Sequence, residues 1–585
     1  MRDRRGVSQN SDLLENQIIK ASSGAGGTKA GKRKPSKEDP KGLSPLLVDP
    51  QLLVIIGLIL IVFLCYANSL WNEFVFDDIY LVRENPMIRN INMWLLNSYR
   101  PLRDISYAVD FALWGADPFG FRLTNIVIHA GNVLLVFALI RRLTQDFVSA
   151  TITALIFAVH PIQTDAVAYI SGRRDLLFSF FYLLSFHSYI TYFRSRWSPR
   201  AVICFFLFVV FWGLSLLAKE MAVTLPIVIF VWHYCDAWED GPSRWRTAMQ
   251  AARKAFNREK WSWIVFSAAG IAFTWYWVSF RSASRRASLD KLEYWGGSFY
   301  RNFLTVIRVH AWYLKQLVYP TPIAQYLGVF EISETLFDWR FLLSLALVGG
   351  LLVYGFLVLN RDRLMAFAIF SYFVFLIPVS QIIPHHELLA DHYLYLPMMS
   401  FGLFVSLLVR RITSSGVVAS KVPYIAVAAA VLILAVMTVI QNKTWKDERT
   451  LWAANYKVVP NSPRAAINLG NTYQYTDPAR AEELFKRALQ LNPTPEIKRT
   501  LNDRLAVILI QQNKYDEAEF FVVEVLNKAP KDFFGNLWLS QIHIFRKECG
   551  KAREALALAQ SVVSKPREEN LAQQTKRQLE QQCGN

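Results

Sequence analysis

The chain has 585 residues, 53% hydrophobic and 19% charged, with 41 Phe, 24 Tyr, 18 Trp and a net charge of +18. The apolar residues come in blocks of about 17–25, the length that crosses a bilayer core, which excludes an ordinary soluble protein. The basic residues lie mostly in short loops between those blocks, where they orient a membrane protein, so nucleic acid is not the expected partner.

Residues 1–48 are rich in Lys, Arg, Ser, Gly and Pro without apolar periodicity, and are expected to form a disordered basic tail on the cytoplasmic side. The first apolar block lies far in and no small-residue cleavage site follows it, so a cleavable signal is not expected here.

From 49 to 441 the pattern predicts about eleven spans. The first, Leu52–Tyr66, exits outward into a long loop from Trp71 to Arg122. Then come Ile126–Leu139, Val148–Val159, Leu176–Tyr192, Ala201–Ala218, Met221–Tyr234 and Trp261–Phe280. Asn302–Tyr319 is amphipathic and is expected on the outer membrane surface. Phe341–Leu359, Leu364–Pro378, Tyr393–Val409 and Val422–Ile440 complete the set. Basic clusters fall on the inner side at almost every turn, which places everything after Gln441 outside the cytoplasm.

Residues 442–585 change character and are expected to form an extracytoplasmic domain. Paired amphipathic helices are closed by Pro493, Pro530 and Pro566. Ala465, Leu469, Gly470, Tyr473, Ala481, Phe485 and Ala488, then Tyr515, Ala518 and Val525, recur where helices pack. The pattern resembles tetratricopeptide (TPR) repeats, with about three units, serving either as a structural cap or as a partner-binding groove.

Cys65, Cys204 and Cys235 read as packing residues. Cys549 and Cys583 lie in the tail, where a disulfide is open to them if the tail is extracytoplasmic.

Polar residues gather in the loops predicted to face outward. Asp77 and Asp78 follow the first span closely, and paired acids beside a membrane are costly unless solvated or used. One carboxylate can take a proton from an attacking hydroxyl while the other orients it; the plainer reading is a capped loop. Arg100 and Arg103 share that loop. His160, Asp165, Arg173, Arg174 and Asp175 lie on the next outer turn, Lys219 and Glu220 on a third, and His392 and Tyr393 on a fourth. Arg and Lys gathered there suit a phosphate, although each taken singly suits a lipid headgroup. His385, His386 and His392 lack a carboxylate partner pattern, so they are read as hydrogen-bonded loop histidines and not as a metal site.

In this order, the motifs Phe76-Asp77-Asp78, Tyr99-Arg100-Pro101-Leu102, His160-Pro161 through Asp175-Leu176-Leu177, Leu217-Ala218-Lys219-Glu220, Ala390 through Pro397 and Trp445-Lys446-Asp447 resemble the transmembrane and tetratricopeptide-repeat (TMTC-type) protein O-mannosyltransferases. More broadly they resemble the GT-C glycosyltransferases. The resemblance implies an all-α fold: a GT-C-like membrane domain followed by a short TPR α-solenoid. It implies a mannose-like sugar carried on a polyprenyl phosphate and transferred outside the cytoplasm to Ser or Thr hydroxyls of an acceptor protein, which the TPR domain is placed to engage. On the resemblance, Asp77 or Asp78 would be the base; charge and loop position make Arg100, Arg173, Arg174 and Lys219 the candidates for the phosphate, with Glu220 orienting one of them. Membrane lipids are the other partners, and participation of a divalent metal is left open. The chain has Ala390-Asp391-His392-Tyr393 where the family usually has Ala-Glu-Arg-Tyr. The short repeat array and plain N-terminal tail suggest a bacterial relative in an inner membrane. Two other readings stay open: a transferase of the same fold that modifies an envelope glycan or lipid, and a non-catalytic TPR scaffold.

Overall fold

The computed structural model describes residues 49–584 apart from 91–97, 196–197, 240–243, 322, 324–329, 385–386, 417–418, 420 and 492; between 259 and 292 it includes only 260, 262–268, 270, 271 and 275. The basic tail, His385, His386 and half of the expected Trp261–Phe280 span therefore lie outside the described residues. Every regular element among the described residues is helical.

Six helices there are long and apolar enough to cross a bilayer: Pro50–Ser69, Pro118–Thr144, Ile170–Arg194, Pro199–Ala218, Trp339–Val358 and Val422–Trp445. Phe147–Val159 followed by Pro161–Val167, bent by 52°, would make a seventh. They make the chain an integral membrane protein. Among the described residues the expected count of about eleven is not confirmed, and two of the expected segments start late. The segment expected from Met221 begins as a 3-10 turn, Glu220–Thr224, so its helix, Leu225–Ala237, has only 13 residues. At 1.5 Å per residue that is roughly 20 Å against a core of roughly 30 Å. Likewise Asp391–Leu394 is a 3-10 turn, and the helix expected from Tyr393 starts at Pro397.

Local sequence sets these boundaries. Asp117, Asp146 and Asp338 each cap the helix that follows by accepting backbone N–H bonds, and Pro occupies the first turn of many helices, where its missing N–H costs nothing. The spans pack around one apolar core that includes Ile126, Val133, Phe157, Tyr182, Phe375 and Leu403. Phe299–Val318, expected to lie on the outer surface, instead buries Val306, Val309, Tyr313 and Leu317 in that core. Its apolar face is wide enough to be claimed by neighbouring helices.

The tail consists of helix hairpins: Pro463–Tyr473 with Pro478–Gln490, Pro495–Gln511 with Tyr515–Leu526, and Phe533–Phe545 with Cys549–Ser561, ending in Pro566–Cys583. Gly470 is required by close packing, since a Cβ there would sit 2.4 Å from the Phe485 ring. Cys549 and Cys583 form a disulfide that joins the last two helices.

The tail meets the membrane part through the first loop. Glu73 N–H donates to Lys446 O at 2.8 Å, and Phe76 N–H donates to the Glu448 carboxylate. The Phe76 ring packs edge-on to Trp452 at 5.5 Å, and Trp452 Nε1–H donates to the same Glu448 at 2.8 Å. Tyr169 stacks on Trp445 at 4.8 Å.

Candidate active site

Phe76, Asp77 and Asp78 turn sharply after the first span. Phe76 has φ 51°, the left-handed region that a non-glycine residue enters only when its surroundings hold it there. Its hydrogen bond to Glu448 and its contact with Trp452 supply that hold.

The two aspartates differ in what they touch. Asp78 is fully buried, and its Oδ1 accepts the Ser171 N–H at 2.8 Å and the Ser171 hydroxyl at 2.7 Å. Its Oδ2 accepts the Val75 N–H at 3.4 Å. Burial pushes the Asp78 carboxyl up to about 6, against the opposing pull of Arg122, Ser171 and Val75. Asp77 is half-buried. The charges of both aspartates reach the buried Tyr169 hydroxyl, placing Asp77 beside the second outer turn.

That turn is built around Gly172, where a Cβ would lie 2.5 Å from Ala166 O and 2.6 Å from Asp165 O. Only glycine lets the two backbone segments approach this closely. The packing aims Ser171 at Asp78 and starts the helix that carries Arg173, Arg174 and Asp175.

Around Arg174 the structure brings together groups from three outer turns. Arg174 approaches Asp175 Oδ2 at 3.4 Å, and Lys219 Nζ pairs with the other Asp175 oxygen. Arg174 also reaches His392 Nε2 at 3.4 Å. A guanidinium only donates, so Nε2 accepts, and His392 Nδ1–H donates to Asp165 Oδ2 at 3.0 Å. Lys219 Nζ lies 5.1 Å from the Tyr393 ring centre, and Tyr393 donates its hydroxyl to Glu387 at 3.2 Å. Arg100 pairs with Glu220 at 3.2 Å, with side chains 12% and 26% exposed, making this the open edge of the cluster. Burial would raise the Glu220 carboxyl, but Arg100 and Lys219 overcome it and hold it at about 2.

Three expected residues stand apart. Arg173 is wholly buried, with its guanidinium occupied by Asp110 at 2.5 Å, Asn125 Oδ1 at 2.8 Å and Phe121 O at 2.6 Å. Arg103 is tied to Asp104 at 2.7 Å. His160 caps its own turn by accepting the Ile162 N–H at 3.3 Å, and its other ring nitrogen donates to Leu317 O at 3.1 Å.

Sequence reasoning missed Arg122 and Glu448, and gave Asp391 only as part of a motif. Arg122 is fully buried and binds Ala168 O at 3.0 Å together with the carbonyls of Asn72 and Glu73. It pins the first loop to the second, yet in sequence it reads as a basic residue at the edge of an apolar block. Glu448 lies in the tail, about 370 positions from the loop it holds. Asp391 is buried with neither carboxylate oxygen hydrogen-bonded, and burial, reinforced by Asp165, pushes its carboxyl well above the ordinary range. Among the described residues, no three His, Cys, Asp or Glu side chains converge as a metal-binding group.

Two cavities flank the site. A polar cleft of about 610 Å³ lies between the first loop and the first repeat helices, lined by Glu73, Phe76, Tyr80, Glu448, Trp452 and Asn471 among others. An almost wholly apolar groove of about 490 Å³ is lined by Leu314, Leu317, Leu347, Ile369, Phe401 and Phe404, with Lys315 and Tyr319 among its walls.

Apolar spans, a loop bearing paired acids and an attached helical-repeat tail define a class of membrane protein, and comparison with known proteins gives the same class. A dolichyl-phosphate-mannose-protein mannosyltransferase family model matches residues 85–284, and a tetratricopeptide-repeat model matches residues 472–533. Protein O-mannosyl-transferase F38B6.6 of Caenorhabditis elegans is 25% identical over 473 residues, 76% of this chain and 63% of that protein. The human proteins TMTC3 and TMTC1, both named protein O-mannosyl-transferase, are each 26% identical, over 73% and 74% of this chain and 49% and 54% of their own lengths. The chain is thus similar to the TMTC protein O-mannosyltransferases across most of its length, while spanning about half to two thirds of these relatives. No solved structure matches it.

Proposed function

We propose that this chain is a GT-C glycosyltransferase that moves a mannose-like sugar from a polyprenyl-phosphate carrier to a Ser or Thr hydroxyl of a protein. Asp77 is the base. The observation that carries the assignment is the division of labour in the loop: Asp78 is occupied by Ser171 and Val75, whereas Asp77 is half-buried beside the basic cluster.

In this reading the acceptor hydroxyl gives its proton to Asp77, and its oxygen attacks the anomeric carbon. The bond from that carbon to the phosphate oxygen breaks, with inversion, and the electron pair leaves on the lipid phosphate. Arg100 and Arg174 bind the phosphate, Lys219 and Asp175 position Arg174, and Glu220 releases Arg100 as the anion enters. Arg173, Arg103 and His160 hold the scaffold. The apolar groove beside Lys315 suits a polyprenyl chain, and the polar cleft against the repeat helices suits an acceptor segment.

The reading divides the chain into a basic tail at 1–48, a catalytic membrane domain at 49–441 and a repeat domain at 442–585. The repeat domain and the outer loops share the extracytoplasmic side, in keeping with the loop charges and with a Cys549–Cys583 disulfide, a bond that persists in oxidising compartments. A bacterial inner membrane is the expected location.

The test is reconstitution of the full chain with radiolabelled polyprenyl-phosphate mannose and a Ser/Thr-rich peptide. Label in the peptide supports the reading. Label only in lipid or glycan, or none with a protein that is inserted and folded, overturns it.

A further inference from the structure

The Arg244–Arg258 helix, RWRTAMQAARKAFNR, contains five basic residues and no acid. At 100° per residue it presents two apolar stripes on different faces. Thr247, Ala251 and Ala255 form one, which is buried, with Ala251 in the membrane-domain core. Trp245, Met249, Ala252 and Phe256 form the other, spaced i, i+4, i+7 and i+11. Trp245, Met249 and Phe256 are 73%, 58% and 54% exposed.

Phe256 stacks on Trp263 at 6.1 Å yet stays half exposed, and with Trp245 and Met249 it leaves a second large apolar stripe that calls for a cover. The charges say which. Lys254 pairs with Glu239 at 2.7 Å and Arg258 with Asp236 at 2.5 Å, anchoring the packed side. Arg246 and Arg253 lie one turn-face round from the open stripe, about 80–100° from Trp245, and pair with no carboxylate among the described residues. An apolar strip headed by Trp and flanked by exposed cations is the pattern of a helix lying in a membrane–water interface. The helix leads from the apolar Leu225–Ala237 helix, so the same bilayer is within reach.

We propose that Arg244–Arg258 lies in the plane of the membrane interface, with Trp245, Met249 and Phe256 in the acyl boundary and Arg246 and Arg253 on anionic lipid headgroups. The proposal is independent of the sugar-transfer reading.

The test uses the full chain in a Cys204→Ser background, reconstituted into vesicles of phosphatidylcholine alone or mixed with phosphatidylglycerol. Spin labels are placed by Met249→Cys, by Phe256→Cys as a second reporter, and by Gln250→Cys as a polar-face control. The expected result is preferential relaxation by oxygen at 249 and 256 and by a nickel chelate at 250. The oxygen preference should be stronger with phosphatidylglycerol. Phosphatidylglycerol retained on detergent extraction should fall about fivefold for each cation removed in Arg246→Gln and Arg253→Gln. Equal nickel access at all three positions overturns the proposal. So does shielding of 249 and 256 from both reagents, the mark of a protein partner or a second copy, and so does identical behaviour in the two lipids.

Discussion

Ser171 donates both its backbone N–H and its hydroxyl to a single oxygen of Asp78, at 2.8 and 2.7 Å. This relationship ties the first outer loop to the second and occupies the Asp78 carboxylate. Removing the carboxylate leaves three buried donors, the Ser171 N–H and hydroxyl and the Val75 N–H, without their acceptor and takes one opposing charge from Arg122. Asp78→Ala should therefore destabilise the membrane domain by about 1–3 kcal/mol. A thermal midpoint in detergent equal to that of the wild type would contradict this role.

The same group gives a pH signature. Burial raises the Asp78 carboxyl from 3.8 to about 6, so the folded protein binds its proton more tightly than the unfolded chain does. Between those values the native state carries the extra proton, and stability falls as pH rises, levelling off above about 6. Asp78→Asn removes the titration. Thermal midpoints taken from pH 4 to 7 should show the wild type losing stability relative to Asp78→Asn through that window; parallel profiles would contradict the assignment.

Arg100 and Arg173 should separate cleanly. Arg100 forms the partly exposed edge pair with Glu220, so Arg100→Gln should raise the KM for the lipid-linked donor while the protein stays folded. Arg173 is wholly buried against Asp110, and Arg173→Ala leaves that acid unpaired, costing about 3–5 kcal/mol and most of the folded yield. Size-exclusion profiles and donor titrations distinguish the two outcomes.

Much of this organisation is legible in the sequence, because long apolar blocks and repeat spacing are local signals. Asp77, Asp78, Lys219 and Glu220 stand out because acids and bases are rare beside spans. What escapes is whatever depends on distant partners. Arg173 and Arg174 are adjacent and chemically identical, yet one faces Asp110 and Asn125 and the other Asp175 and His392; helix phase against neighbours decides this. Two expected spans start later than the apolar pattern suggests, because their first residues form 3-10 turns, Glu220–Thr224 and Asp391–Leu394. Glu448 was invisible because its partner Phe76 lies 372 positions away in the chain.

The docking itself is testable. Glu448 accepts from Phe76 N–H and from Trp452 Nε1–H, holding the loop that carries Asp77. Glu448→Ala should lower kcat about 10–100-fold with little change in donor KM, since a small displacement of a positioned base is expensive in rate. Wild-type kcat in that variant would remove the tail from the positioning of the base.

The Cys549–Cys583 bond closes a loop spanning 34 positions between the last two helices. Loop-closure entropy puts its contribution at about 4 kcal/mol. Reductant, or the Cys549→Ser/Cys583→Ser pair, should lower the unfolding midpoint of the repeat tail and leave the membrane spans unaffected. Free-thiol labelling of intact cells reports whether the bond forms in place.

One assay reads the difference between the two adjacent aspartates: mannose transfer from lipid-linked donor to peptide by Asp77→Asn beside the wild type, with thermal midpoints measured on the same samples. The predicted result is a loss of about 10²–10⁴-fold in kcat with an unchanged midpoint, as expected on removing a general base from a folded site. Transfer by Asp77→Asn at near wild-type rate would contradict the assignment of Asp77 as the base.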